Sequence, residues 1–207
     1  MGCVGDDPVE PARQTLMSAR VVASVTVIAL GGFGLVPSIA AANHAPVADG
    51  NDVRGLLDIK EVTIQGGQRK RAKVITHKRW TADRLRDRGY VLVYLDTFAD
   101  ERPDYYVLIR STGSEMKAKL YRDRKTKNDY IVGSTDAWKA EKNSVSVRLP
   151  LRRTHWGKTR TFYRWNVLSL FSGRRCKSVC FDRAPQGTAV EEPRPGVPPE
   201  ATAARTS

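Results

Sequence analysis

The stretch Tyr90 to Arg110, YVLVYLDTFADERPDYYVLIR, constrains the fold more than any other part of the chain. Two runs in it alternate with the two-residue period of a strand. In the first, Tyr90, Leu92 and Tyr94 point one way and Val91, Val93 and Leu95 the other. In the second, Tyr105, Val107 and Ile109 alternate with Tyr106, Leu108 and Arg110. Between them Asp96, Asp100, Glu101 and Asp104 crowd four carboxylates into a connection that also holds Pro103. This is a hairpin signal with an acidic tip. Both faces of the first run are apolar, so the pattern predicts a strand buried on both sides.

Further strands follow from the same alternation. Leu56 to Ile64 is one, with Leu57 and Ile59 on one face and Val62 and Ile64 on the other; Gly66-Gly67 then turns the chain into a second, Ala72 to Trp80. Glu115 to Arg122 places Met116, Ala118 and Leu120 inward and Lys117, Lys119 and Tyr121 outward. Tyr130 to Gly133, Ser144 to Leu149 and Phe162 to Phe171 complete about eight strands. Thr81 to Gly89 is the one helical fragment, with Thr81 as its cap and Gly89 as its stop. Strands without alternating long helices predict an all-β, antiparallel, jelly-roll-like sandwich with at most one short helix. The domain spans 53–185, after a polar linker over 43–52. The segment 186–207, rich in Pro, Ala, Glu and Thr, reads as a disordered tail.

The N-terminus sets the expected compartment. Arg13 and Arg20 precede the apolar run Val21 to Ile39, and Ala40, Ala41 and Ala42 follow it. A positive region, an apolar region and a small-residue site make a signal peptide over 1–42, cleaved after Ala42, with Ala40 as the alternative site and Met17 as an alternative start. Gly31, Gly32, Gly34 and Pro37 interrupt the run and argue against a stable membrane span, a retained anchor being the alternative. The chain carries a formal charge of +13; cleavage leaves 33 basic against 19 acidic residues, or +14. Such a charge suits anionic partners or a solvated surface. Cleavage also removes Cys3 and leaves Cys176 and Cys180, which the sequence predicts to be bonded to each other in an oxidising compartment.

No catalytic constellation emerges. His44, His77 and His155 form no metal-spaced cluster, and the carboxylates of the hairpin sit in one loop rather than across a cleft. Asp96, Asp100 and Asp104 are candidate oxygen ligands for Ca²⁺; the competing expectation, favoured by the excess of cations, pairs them with arginines such as Arg102. Trp138 and Trp156 lie in basic, polar segments, and with the outward-facing Tyr121 they are candidate stacking residues for sugar rings. Basic clusters at Arg69 to Lys73, Arg122 to Lys127, Arg152-Arg153 and Arg174 to Lys177 carry no nucleic-acid-binding motif.

The order LLDIKEVTI, YLDTFADERPDYYVLI, SVSVRLPL, YRWNVLSLF and C-x-x-x-C-x-D-x-A-P resembles a group of uncharacterised secreted actinobacterial proteins. These are similar in turn to DOMON-like and family 9 carbohydrate-binding β-sandwiches. In such modules an acidic D-T-x-x-D hairpin lies near the middle, as Asp96, Thr97 and Asp100 do here, while Phe98 and Pro103 depart from the pattern. The resemblance covers roughly Val53 to Pro185 and implies a sandwich fold. The expected function is a secreted, non-enzymatic binding module for a glycan or cell-envelope ligand. The alternative is an electrostatic binder of extracellular polyanions, without specific nucleic-acid recognition.

Overall fold

The computed structural model describes residues 45–157, 161–176 and 178–196, which belong to one compact unit. The leader over 1–42 and the last eleven residues of the expected tail, 197–207, lie outside the described residues. The elements are β1 (Val47–Ala48), β2 (Ile59–Gln65), β3 (Arg71–Thr76), α1 (Ala82–Leu85), β4 (Gly89–Asp96), β5 (Tyr105–Ser111) and β6 (Met116–Arg122). They continue with β7 (Tyr130–Thr135), β8 (Ala137–Glu141), β9 (Ser144–Arg148), a 3-10 turn at Leu151–Arg153, β10 (Phe162–Phe171), β11 (Cys180–Ala184) and β12 (Val190–Pro193).

The strands form two antiparallel sheets, as the alternation predicts. The smaller has five strands in the order β1-β2-β3-β9-β8. The larger has seven: β11-β10-β4-β5-β6-β7, with β12 also on β10. Within it β4, β5, β6 and β7 pair in sequence as a meander. The inner faces meet in one core: Val62, Ile64, Val74, Val145 and Val147 from the smaller sheet face Val93, Leu95, Val107, Ile109, Leu120, Trp165 and Val167 from the larger. Two polar stitches join the layers at one end. Ile59 donates its N–H to Asp182 Oδ2 at 2.6 Å, and Ser169 Oγ donates to Leu57 O at 2.6 Å.

Four differences from the sequence reading have local causes. A bulge between Ile59 and Glu61 adds a residue to β2, so Leu57, Ile59, Val62 and Ile64 all reach the core instead of splitting between faces. The chain has twelve strands where about eight are expected, because β1, β8, β11 and β12 are short or polar edge strands. The tail expected to be disordered from 186 contains β12. Phe162 to Trp165 of β10 pair antiparallel with Pro193 to Val190, which completes the edge that β11 begins. Finally, α1 is a single turn; Thr81 caps it as expected, accepting from the Arg84 N–H at 3.4 Å.

Candidate functional site

The strand expected to be buried on both sides is buried on one. Val91, Val93 and Leu95 of β4 are in the core, whereas Tyr90, Leu92 and Tyr94 are half-exposed on the outer face of the larger sheet. The register extends this face into rows. One runs Asn166–Tyr94–Tyr106–Tyr121–Ile131 across β10, β4, β5, β6 and β7. The next runs Arg183–Leu168–Leu92–Leu108–Lys119–Ser134. A third runs Phe181–Leu170–Tyr90–Arg110–Lys117. The solvated face of an antiparallel sheet normally reads polar. Here its middle is aromatic and aliphatic, and its margins carry Arg183 on one side and Arg110, Lys117 and Lys119 on the other.

The tyrosines of the first row pack on one another. Tyr106 and Tyr121 stack at 5.0 Å between ring centroids with 4° between planes, and Tyr94 leans on Tyr106 at 5.8 Å. Rings stacked this way offer edges and hydroxyls outward, so one face of Tyr121, expected to be a free stacking surface, is occupied by Tyr106. The Tyr106 hydroxyl donates to Asp129 Oδ2 at 3.0 Å, and burial, then this bond, raise its pKa well above the ordinary tyrosine value. Phe181, on β11 beside the Cys176–Cys180 disulfide, is 69% exposed and extends the apolar face at its corner. Sequence reasoning missed Phe181; the alternation of CFDRA was the available signal.

The other predicted site residues lie elsewhere. Trp138 sits on β8 opposite Ser146, at the edge of the smaller sheet. Trp156 packs edge-on against Tyr163 at 5.8 Å, donates Nε1 to Leu151 O at 3.2 Å and lies under the Arg194 guanidinium at 4.9 Å. Neither tryptophan joins Tyr121. Cys176 and Cys180 are bonded as expected, with Cα atoms 5.4 Å apart.

The acidic hairpin is held by its own backbone. Asp96 accepts from the N–H groups of Asp100 (3.3 Å) and Glu101 (3.0 Å). Asp104 Oδ2 accepts from Thr97 N–H (2.8 Å), Thr97 Oγ1 (3.1 Å) and Phe98 N–H (3.1 Å). Asp100 Oδ1 accepts from Arg102 N–H at 3.3 Å. These bonds support Ala99 and Glu101 in the left-handed region, at φ 53° and 70°. Burial pushes the carboxyls of Asp96 and Asp104 above the ordinary range, against the lowering effect of those N–H groups. The candidate Ca²⁺ ligands Asp96, Asp100 and Asp104 thus each accept from backbone amides of their own hairpin, and the bond from Arg102 comes from its backbone N–H.

Carboxylates do gather at the opposite end of the β4 strand, where Asp52, Asp58 and Asp182 bring oxygens within 4.8 Å of one another. One of them, Asp58, is paired with a side-chain cation. Lys78 Nζ donates to Val53 O (2.8 Å), Gly55 O (3.0 Å) and Asp58 Oδ2 (3.3 Å). Asp182 is pushed up to about 6, first by burial and then by the charge of Asp49. No donor among the described residues reaches the buried Asp49 Oδ2, and burial also raises the Asp49 carboxyl.

Among the described residues, fold and surface define a two-sheet antiparallel sandwich with a half-exposed, tyrosine-bearing outer face. No family model, characterised protein or solved structure matches the chain.

Proposed function

We propose that this chain is a secreted, non-enzymatic binding module that takes a glycan or anionic cell-envelope polymer across the outer face of its larger sheet. One observation carries the reading: that face is aromatic and aliphatic where a solvated sheet should be polar, with the Tyr94–Tyr106–Tyr121 row at its centre. The row from Asn166 to Ile131 crosses four inter-strand gaps, roughly 19 Å, which suits an extended polymer better than a small molecule. Tyrosine edges and hydroxyls hydrogen-bond hydroxyl-rich chains while the leucines exclude water. Arg110, Lys119 and Arg183 at the margins answer acidic groups on the polymer. The Cys176–Cys180 bond fits an oxidising compartment.

The test is a panel of neutral and acidic polysaccharides, titrated at low and high salt. An acidic polysaccharide is expected to bind. Raising the salt weakens it without abolishing it, and Tyr121→Ala weakens it by about ten-fold, the size of one stacking contact. Binding that salt abolishes and Tyr121→Ala leaves unchanged would replace this reading with a purely electrostatic polyanion binder.

A further inference from the structure

Three connections meet at one end of the sandwich: the β2–β3 turn with Gln68 and Arg69, the turn after β9 with Arg152 and Arg153, and the segment leaving β12 with Arg194. They line two adjoining depressions of about 400 Å³ each, which share Gln68, Leu151 and Arg152. Outside the groove, Arg164 is paired with a carboxylate, Glu191, at 2.9 Å. In this groove neutral groups hold the arginines. Arg152 Nη2 donates to Gln68 Oε1 at 3.1 Å, Arg153 Nη1 donates to Ser134 O at 2.9 Å, and Arg194 lies on the Trp156 ring. Gly133 provides the seat for Arg153, since a Cβ there would stand 2.5 Å from Nη1. Asp136, the one carboxylate among the described lining residues, is taken up by Arg148 at 2.8 Å.

Neutral partners fix where a guanidinium points without cancelling its charge. Guanidinium forks match oxyanions in pairs of N–H···O bonds. Arg152 borders both depressions, Arg194 the first and Arg153 the second, so each is bordered by at least two guanidinium groups; a tetrahedral group accepts from several sides, whereas a flat carboxylate is met by one fork. We propose that this groove is an oxyanion-binding site that takes phosphate or sulfate groups carried on a polymer. It is separate from the tyrosine face and does not rest on the function proposed for that face.

Trp156, beneath Arg194, supplies a fluorescence readout, and Trp156→Phe identifies its share of the signal. The full chain is titrated with polyphosphate, dextran sulfate and polygalacturonate. The better of the first two names the group, and it is expected to bind at least about ten-fold more tightly than the carboxylate polymer, the margin of one charge-assisted hydrogen bond. Arg152→Gln and Gly133→Ala are each expected to weaken binding by about ten-fold. Gly133→Ala leaves the net charge untouched and only displaces Arg153; Arg153→Gln stands in for it if the alanine variant does not fold. Arg71→Gln, outside the groove, is expected to change binding less than two-fold, about the loss of one diffuse charge. Failure of both tetrahedral polymers to bind, equal affinity for all three polymers, or equal losses from Arg71→Gln and Arg152→Gln, would overturn the site. So would unchanged binding in both Gly133→Ala and Arg153→Gln.

Discussion

Single carboxylates in this protein do different work according to what donates to them. Asp104 satisfies two backbone amides and the Thr97 hydroxyl, whereas Asp100 receives one long bond from Arg102 N–H. Asp104→Ala therefore orphans several donors and is expected to cost about 2–4 kcal/mol, while Asp100→Asn costs about 0.5 kcal/mol or less. Chemical denaturation of the two variants measures both, and thermal melts of wild type with calcium or with chelator should coincide. Asp182 sets a pH dependence. Its proton leaves near pH 4 in the unfolded chain but is held up to about 6 in the folded one, mainly through burial. The folded state therefore binds the extra proton between these values, and the contribution of Asp182 to stability falls as pH rises across that window. Unfolding midpoints at pH 4.5 and pH 7 should show a smaller difference in Asp182→Asn than in wild type; an unchanged difference would contradict the assignment.

Among the elements, β12 departs most from what its sequence suggests. A segment VEEPRPG has the composition of a solvated tail, yet it closes the edge of β10 and inserts Glu192 between the layers. Glu192 is 0% exposed and meets Lys70 Nζ, itself 5% exposed, at 2.9 Å. Its charge, after burial, also raises the Tyr163 hydroxyl far above the usual tyrosine range. Removing one member of a buried ion pair strands the other, so Glu192→Gln is expected to destabilise the fold by about 3–5 kcal/mol, read as a lowered denaturation midpoint. The pairing joins residues 122 positions apart, so no local pattern announces it. By contrast, β4, β5, β6, β9 and β10 were legible from alternation alone, because one buried face forces a period of two. The error on β4 has a physical origin: an apolar outer row looks the same in sequence whether another layer covers it or solvent meets it.

At the scale of the whole molecule, the net charge of +13 resolves into separate functions of place. Lysines and arginines rim the tyrosine face, arginines crowd the groove at one end, and Lys78 and Lys70 neutralise internal acids. The sequence showed the basic clusters but not which of them lack carboxylates, since that depends on loops brought together by the fold. It showed Tyr121 facing outward, but the row that Tyr121 completes required the register of five strands. Trp138 and Trp156 drew attention by composition and lie away from that row. The central claim is that the outer face of the larger sheet receives the ligand, and amide chemical shifts of the labelled protein, followed during titration with an acidic polysaccharide that binds, test it most directly. The expected result is a continuous set of shifted amides on β10, β4, β5 and β6, centred on Tyr94, Tyr106 and Tyr121. Shifts confined to the smaller sheet around Trp138, or to the arginine groove alone, would contradict it.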